Sequence, residues 1–366
     1  MYLNKHDNIL KRGITDIKSY VPGRSIDEIA LDRGLDPSTI IKLGSNENPL
    51  GPSKKAVEAV MSQLGDMYIY PSADAIELVT ALSSYTGIDT DSIVASGPGM
   101  DGLIDGLLRL VLEPGDNVII TTPTFSYYEI ASRANGAIPI FVKRDSNFNI
   151  DINEIRSSIS DKTKFIFLCS PNNPSGNTIP EDDIKIILES TESLVFVDEA
   201  YIEFADRDVS HLLKDYDNLV IGRTFSKAFG LAGLRIGYGL MPPWLKSEYM
   251  KVSTPFNVSS VAIAGGIAAL NDKSHLNRSQ EMVQTGRKFL QHELPFKVYD
   301  SQANFVLVDV YPYTASEVSE HLLNHGIIVR DCTSFRDAGD SLIRVTVGTN
   351  EQNKKLVTTF RSFLGN

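Results

Sequence analysis

Short hydrophobic runs alternate with amphipathic stretches through the middle of the chain, from about residue 91 to residue 240. Such runs are typical of buried strands, whereas the stretches between them have the spacing of helices. The predicted strands are 117–121, 138–142, 165–169, 194–198, 219–223 and 236–240, and the predicted helices are 101–112, 125–135, 151–159 and 181–190. This alternation indicates an α/β fold, with a mostly parallel sheet covered by helices on both faces.

The two flanks of this region follow other patterns. Upstream, a turn-rich loop at 44–52 precedes an amphipathic helix at 53–64, for which Ser53 is the predicted N-cap. Downstream, residues 256–292 are predicted to be mostly helical. The remaining predicted elements are a strand at 304–310, a helix at 315–324, a strand at 342–347 and a helix at 352–364. This order is typical of a smaller α+β domain.

Length and composition agree with a two-domain globular protein. The chain has 366 residues, of which 42% are hydrophobic and 22% charged. We expect a large domain at 46–270, and a small domain formed by an N-terminal arm, 1–45, together with 271–366. The net charge of −11 disfavours non-specific binding to nucleic acid or to an anionic membrane surface. No apolar run is long enough to span a bilayer.

The cysteines and histidines argue against a disulfide-stabilised protein and against a metal-binding one. The two cysteines, Cys169 and Cys332, do not make a disulfide framework, and the first residues contain no apolar signal core. We therefore expect a cytoplasmic protein. The six histidines show no metal-ligand spacing and no CxxC occurs, so no metal site is expected.

The segment from Arg223 to Arg235 is the most informative part of the chain. It places Lys227 among small hydroxyl residues, with apolar stretches on both sides. Poor solvation lowers the pKa of a lysine and makes its neutral amine available for Schiff-base chemistry. Upstream, Asp198 ends an apolar run and Tyr201 follows it. A lysine, an acid, a tyrosine and an arginine in this order are the groups needed to hold pyridoxal phosphate.

Each of these residues also has an ordinary structural explanation. A single lysine is usually a solvated surface residue, and an acid such as Asp198 often only terminates a strand or caps a helix. Short motifs have many false positives when they are taken one at a time. The shared order and compatible spacing of the groups favour chemistry over coincidence.

Candidate phosphate-binding groups come from two segments. The glycine-rich turn at 96–101 precedes a predicted helix, and the amides at a helix N-terminus favour an anion. Its last residue, Asp101, is alternatively the N-cap of that helix. Thr224 and Ser226 offer hydroxyl groups, and Arg235 offers a fixed positive charge.

Candidate contacts to a planar ring come from two further segments. Asn173, which follows a predicted strand, offers an amide donor to a phenolate-like oxygen, although Asn, Pro and Gly in this segment also favour a tight turn. Phe125 can stack on a planar ring, or it is an ordinary core aromatic residue.

At these residues the chain resembles the fold-type I pyridoxal-phosphate aminotransferases, and within them the histidinol-phosphate aminotransferases. The matching segments are 42–52, 70–71, 171–176, 197–201, 225–235 and 343–349. The resemblance covers nearly the whole chain. It implies a large domain with a sheet of the seven-stranded type, pyridoxal phosphate as cofactor, and a homodimer. It also implies transamination between histidinol phosphate and 2-oxoglutarate in histidine biosynthesis.

The resemblance further implies a role for individual residues. Lys227 would bind the cofactor covalently and move the proton, with Asp198 on the pyridine nitrogen and Tyr201 beside the ring oxygen. The other implied cofactor contacts are Asn173, Thr224, Ser226, Arg235, Met100, Asp101, Phe125 and, from the other subunit, Tyr70. The implied substrate contacts are Arg344, Arg330, Tyr20 and Asn46.

The chain departs from this family's pattern at 97–102, where relatives often have Gly-Asn-Gly-Ser/Ala-Asp-Glu. Pro98 removes one amide donor, and Gly102 replaces an acid. Arg330 is alternatively a surface residue paired with Asp331 or Asp337.

Three other functions remain as alternatives. An aromatic amino-acid aminotransferase and a phosphothreonine decarboxylase would use similar residues. A non-catalytic regulator is disfavoured, because the set of Asp198, Tyr201, Lys227 and Arg235 is intact and no added binding module is recognisable.

Overall fold

A computed structural model of the chain describes residues 9–11, 14–20, 23 and 25–365. The helices are α1 (Ile26–Arg33), α2 (Lys54–Gln63), α3 (Ile76–Thr86), α4 (Gly99–Val111), α5 (Tyr127–Ala134), α6 (Ile152–Ser158), α7 (Glu181–Glu189), α8 (Pro243–Val252), α9 (Ser260–Leu270), α10 (Lys273–Glu293), α11 (Ala315–Asn324) and α12 (Asn350–Phe363). The strands are β1 (Ile41–Lys42), β2 (Ile93–Ser96), β3 (Asn117–Thr122), β4 (Ile138–Lys143), β5 (Thr163–Cys169), β6 (Leu194–Asp198), β7 (Leu219–Thr224), β8 (Gly237–Leu240), β9 (Lys297–Val298), β10 (Phe305–Asp309), β11 (Ile327–Ile328), β12 (Arg330–Asp331) and β13 (Leu342–Thr346).

The central sheet has seven strands in the order β2-β8-β7-β6-β5-β3-β4. Strand β8 runs antiparallel to both of its neighbours, and the other neighbouring pairs are parallel. The predicted α/β fold with a mostly parallel sheet is therefore confirmed. Two separate hydrophobic clusters, one on each face, bury the sheet between layers of helices.

Local sequence explains why the main elements form where they do. Strand β6 is a continuous hydrophobic run, and all five of its residues are buried. Helix α2 begins after Ser53, whose side chain accepts a hydrogen bond from the amide of Ala56 at 3.1 Å, as the sequence predicts. Helices α11 and α12 begin at capping boxes closed by Thr314 and Thr349.

The C-terminal part of the chain forms a second sheet with its own core. Its strands are antiparallel and follow the order β12-β13-β10-β9. Helices α10, α11 and α12 pack against it around a cluster that includes Val306, Val345 and Phe360. Strand β1 pairs in parallel with β11 in a separate two-stranded sheet, so the chain before the large sheet packs with the C-terminal part. The division into 46–270 on one side and 1–45 with 271–366 on the other stays a prediction.

Within the part of the chain that the structure describes, no helix is both long enough and apolar enough to cross a membrane. The N-terminal residues 1–7, which carry the expectation about a signal peptide, lie outside it.

Candidate active site

A cavity of about 230 Å³ lies at the carboxyl ends of the central parallel strands. Strands β5, β6 and β7 end there at Cys169, Asp198 and Thr224, because the carboxyl ends of parallel strands meet at one edge of a sheet. The sequence-predicted residues in its lining are Tyr20, Asn46, Met100, Asp101, Phe125, Asn173, Asp198, Tyr201, Thr224, Ser226, Lys227, Arg235, Arg330 and Arg344. Residues from both sheets and from the N-terminal arm therefore meet in one place.

Tyr70 is the one predicted site residue outside this lining. Its side chain is 78% exposed and stacks on Phe256, with 4.7 Å between the ring centroids. Its predicted contact with the cofactor of another subunit stays a prediction.

Lys227 places its amine at the wall of the cavity, three residues after β7. The amine donates a hydrogen bond to the carbonyl oxygen of Ser45 at 3.3 Å. Its pKa is lowered to about 8, first by loss of solvation and then by the nearby charge of Arg344. A neutral, nucleophilic amine is thus available at a pH where an ordinary lysine is almost fully protonated.

Asp198 is fixed by two hydrogen bonds at the end of β6. One carboxylate oxygen accepts from the hydroxyl of Tyr128, and the other accepts from the amide of Ala200 at 2.9 Å. Burial raises the pKa of Asp198 to about 6, and the bond from Tyr128 opposes this rise. No ion pair forms between Asp198 and any residue that the structure describes, so this buried carboxylate is suited to a cationic ligand group such as a protonated pyridine nitrogen.

Tyr128 is a functional residue that the sequence reasoning missed. It is fully buried, and its ring stacks on Phe167 with 4.3 Å between centroids. The same sequence segment drew attention to Phe125, which lines the cavity edge-on to Tyr128. The available signal was weak: a tyrosine on a helix face that packs against the sheet needs a partner for its hydroxyl.

Tyr128→Phe is expected to weaken the site without removing the aromatic packing. Loss of the hydroxyl raises the pKa of Asp198, so the acid limb of the activity profile moves to higher pH. We expect kcat/KM near pH 7 to fall about tenfold, the value of one hydrogen bond to a charged group. The pH profile measures this shift. Tyr238→Phe, at a buried tyrosine outside the cavity lining, is the matched control, and an unmoved profile for Tyr128→Phe would contradict the role.

The first turn of α4 and the residues after β7 form a cradle suited to phosphate. Thr224 donates a hydrogen bond to the hydroxyl of Ser226 at 3.1 Å, and both face the cavity. Arg235 donates to the carboxylate of Asp101 at 2.9 Å. Asp101 lies in the first turn of α4, whose N-cap is Pro98, so the alternative that Asp101 is the N-cap is wrong.

The unusual turn at 97–102 has a local physical explanation. A Cβ atom on residue 102 would lie 2.6 Å from the carbonyl oxygen of Gly97, so a larger residue there requires the backbone to shift. Because α4 begins at Gly99, the amide lost at Pro98 is not one of its first-turn amides. The departure from the family pattern therefore leaves the amides of Met100 and Asp101 in place, whereas the amide of Gly99 donates to the carbonyl oxygen of Arg235 at 2.7 Å.

Arg344 is buried and held from two sides. It donates to the side-chain oxygen of Asn173 at 2.5 Å and to the carbonyl oxygen of Gly44 at 2.7 Å. Its Nε has no hydrogen-bond partner among the residues that the structure describes. Since the oxygen of Asn173 is used by Arg344, its amide group remains as a donor, which is the group that the sequence reasoning required.

Arg330 lines the cavity from β12 and is not a surface ion-pair residue. It donates to the hydroxyl of Ser334 at 3.1 Å. Asp331 accepts from a backbone amide and Asp337 accepts from Thr122, and among the described residues Arg330 has no ion pair. The surface salt bridge considered as an alternative is therefore not formed.

Tyr201, Asn46 and Tyr20 complete the cavity wall. The hydroxyl of Tyr201 accepts a hydrogen bond from the amide of Asn46 at 3.0 Å, which leaves its own proton free to donate. Burial raises the pKa of Tyr201, so the phenol stays protonated. Tyr20 is half-exposed and lies edge-on to Phe125 at 6.1 Å. In the structure, Asn46 is thus hydrogen-bonded to Tyr201, a residue predicted to contact the cofactor.

Cys169 and Glu47 also line the cavity and were not predicted as site residues. Burial raises the pKa of the Cys169 thiol to about 12, so it stays protonated and is a poor nucleophile. Glu47 forms an ion pair with Lys42 at 2.8 Å. These residues shape the wall, whereas the reactive amine belongs to Lys227.

The chemical groups that line the cavity fit pyridoxal phosphate. The cavity offers an amine for the aldehyde, a buried carboxylate for the pyridine nitrogen, and two donors, Tyr201 and Asn173, for the ring oxygen. Hydroxyl groups, a helix N-terminus and one arginine are available to the phosphate.

Comparison with known proteins gives one consistent result. Residues 38–360 match the family model of aminotransferase class I and II. The chain is 62% identical over 352 residues to the histidinol-phosphate aminotransferase of Methanococcoides burtonii, covering 96% of this chain and 98% of the relative. It is 60% identical to that of Methanosarcina barkeri, over 99% of both chains.

A solved structure agrees with these sequence relatives. The histidinol-phosphate aminotransferase from Sinorhizobium meliloti, in complex with pyridoxal-5'-phosphate, is similar in fold, with a TM-score of 0.86 and 25% sequence identity. The similarity covers 96% of this chain and 98% of that one.

Proposed function

Since the chain belongs to the class I and II aminotransferases, we propose that it transfers an amino group between histidinol phosphate and 2-oxoglutarate, a step of histidine biosynthesis. Its cofactor is pyridoxal phosphate. The observation that carries this proposal is the meeting of Lys227, Asp198 and the two arginines, Arg330 and Arg344, around one cavity. The relatives at 60% identity and above, over nearly the whole chain, support histidinol phosphate as the substrate.

The side chains of this cavity divide the work of transamination. When bound, pyridoxal phosphate carries the amino group and withdraws electrons from the substrate carbon that loses its proton. Lys227 takes that proton and returns it, which its lowered pKa permits near neutral pH. Asp198 would hold the pyridine nitrogen and stabilise positive charge there, and Tyr201 would donate to the ring oxygen.

We infer that the two arginines, Arg330 and Arg344, bind both substrates of the reaction. A substrate phosphate is a dianion and matches two guanidinium groups, while the carboxylate of glutamate or 2-oxoglutarate uses one of them. Arg344 is fixed in β13 and Arg330 in β12, which are neighbouring strands of the second sheet. We infer that Tyr20 and Asn46 close this end of the cavity.

Covalent uptake of the cofactor is expected to follow the protonation of Lys227. Only the neutral amine attacks the aldehyde, so the rate should rise about tenfold per pH unit below about pH 8 and level off above it. Mixing cofactor-free protein with pyridoxal phosphate from about pH 6 to about pH 9.5, with absorbance detection, measures this. A rate that still rises steeply above about pH 9, as for a solvated lysine, would contradict the lowered pKa.

Product analysis tests the substrate. The cofactor-loaded protein is given 2-oxoglutarate with histidinol phosphate, phenylalanine, tyrosine or phosphothreonine, and glutamate and carbon dioxide are measured. We expect glutamate from histidinol phosphate with the highest kcat/KM. Carbon dioxide from phosphothreonine would favour a decarboxylase, and turnover of aromatic amino acids alone would favour an aromatic aminotransferase.

We further propose a homodimer in which Tyr70 of each subunit reaches the cofactor phosphate of the other. Support comes from the segment around Tyr70, where Met61, Met67, Tyr68 and Ile69 are all exposed apolar or aromatic side chains. Sedimentation of the native protein tests the dimer, and a loss of cofactor affinity in Tyr70→Phe tests the contact. A cytoplasmic location stays a prediction.

A further inference from the structure

We propose that Arg336 and Asp337 are positioning residues that fix Arg330 for the substrate's phosphate group. They belong to the clasp segment, residues 332–338, which is the first part of the connection between β12 and β13. This inference rests on the proposed function for the identity of the phosphate-bearing substrate. The contacts that carry it come from the clasp segment itself.

The clasp segment determines the orientation of Arg330. Ser334 accepts the hydrogen bond from Arg330 at 3.1 Å, and the ring centroid of Phe335 lies 5.5 Å from the guanidinium carbon. The two contacts come from residues four and five positions after Arg330, the first residue of β12. Phe335 also lines the cavity next to Arg330. A displacement of the clasp segment therefore displaces the guanidinium group of Arg330.

The clasp segment is attached to the large sheet through Arg336. This arginine donates to both carboxylate oxygens of Glu129 on α5, at distances of 2.9, 3.0 and 3.2 Å. Its guanidinium carbon also lies 4.0 Å from the ring centroid of Phe141 on β4. A bidentate ion pair with stacking restricts the orientation of the guanidinium group as well as its distance, which a single charge contact does not.

Asp337 adds a second attachment beside the first. Its carboxylate accepts a hydrogen bond from the hydroxyl of Thr122, the last residue of β3, at 2.6 Å. Its backbone is in the left-handed region, with φ of 63°, which is uncommon for a residue other than glycine. The attachment and the backbone geometry together hold the turn of the clasp segment at the edge of the large sheet.

Arg344 provides an internal comparison. Its partners are Asn173 and the carbonyl group of Gly44, and neither lies in the clasp segment. Loss of Arg336 should therefore weaken the contribution of Arg330 and leave that of Arg344 intact. A general loss of folding would affect both arginines.

Binding of inorganic phosphate to the cofactor-loaded protein tests the proposal, because the cofactor's own phosphate site is then filled. We expect Arg336→Gln to raise the Kd for inorganic phosphate about tenfold, since a small misplacement of a binding group has an effect of this size or larger. Arg336→Lys should give an intermediate value. Arg361→Gln is the matched control and should change Kd less than about twofold.

The control removes an ion pair of similar exposure at a distance from the cavity. Arg361 and Glu293 lie 2.6 Å apart with side chains 49% and 31% exposed, against 46% and 25% for Arg336 and Glu129. Neither residue of the control pair lines the cavity.

A double variant separates positioning from general damage. If Arg336 acts through Arg330, then Arg330→Gln with Arg336→Gln should bind phosphate no more weakly than Arg330→Gln alone. Wild-type phosphate affinity in Arg336→Gln, or two losses that multiply, would overturn the proposal. Should Arg336→Gln fail to fold, Thr122→Val removes the second attachment and undergoes the same two measurements, with the same outcomes deciding.

The proposed function can fail independently of this inference. A wild-type protein that transfers no amine from histidinol phosphate would refute the proposed substrate. The phosphate measurements would still decide whether Arg336 positions Arg330.

Discussion

Lys227→Ala is expected to abolish amine transfer, with kcat lowered by about 10⁴-fold or more. Among the described residues that line the cavity, Lys227 carries the only primary amine. Its removal eliminates both the covalent attachment of the cofactor and the group that moves the proton. Steady-state glutamate formation from histidinol phosphate measures the loss.

Lys246→Ala is the control for this variant. Burial also lowers the pKa of Lys246, which donates to the carbonyl oxygen of Thr90 at 2.7 Å, but this residue lies outside the cavity lining. Its rate should match that of the wild type. Because the amine of Lys227 is poorly solvated in the folded state, cofactor-free Lys227→Ala should unfold at the same temperature as the cofactor-free wild type or higher. A variant that keeps a tenth of the wild-type rate would contradict the assigned role.

Asp198→Asn should lower kcat by about 10²- to 10³-fold, the usual effect of removing one preorganised electrostatic group. The amide has nearly the same shape, and the amide of Ala200 still has an oxygen to donate to. What is lost is the negative charge that stabilises a proton on the pyridine nitrogen. Single-turnover kinetics, together with the pH dependence of the cofactor absorbance, measure this effect.

Cys169→Ser is the control for the Asp198 variant, because the thiol lies beside the carboxylate in the same buried wall. Serine keeps a donor for the carbonyl oxygen of Pro171, which Cys169 contacts at 3.4 Å. Its kcat should stay within about threefold of the wild-type value. An equal loss of kcat in both variants would mean that disturbed packing of the cavity wall, and not loss of the charge of Asp198, lowers the rate.

Much of the fold could be predicted because the hydrophobic pattern is strong. Strand β6 and helix α11 have the bounds that the sequence predicted, since β6 is an apolar run that ends at Asp198 and α11 begins directly after its N-cap, Thr314. Strand β2 was missed because it is only four residues long and its hydrophobic run ends after three of them, at Ala95. The reversed direction of β8 was not predicted, because a buried strand has the same pattern in either direction.

The site could be predicted only where its residues carry a local signal. Lys227, Asp198 and Tyr201 stand out from apolar surroundings, and the structure places all three around the cavity. The hydrogen bond of Tyr128 to Asp198 joins residues 70 positions apart, and the pair of Arg336 with Glu129 joins residues 207 positions apart. Such contacts depend on how strands and loops meet after folding, which the spacing of one sequence does not specify.

The most direct measurement is the absorbance of the cofactor when histidinol phosphate is added to the loaded protein without an acceptor. We predict complete conversion to the pyridoxamine form, and recovery of the original spectrum when 2-oxoglutarate is added. This result would show both half-reactions on the same site. An unchanged spectrum with histidinol phosphate, together with conversion by phenylalanine or tyrosine, would contradict the proposed substrate and leave an aminotransferase of a different specificity.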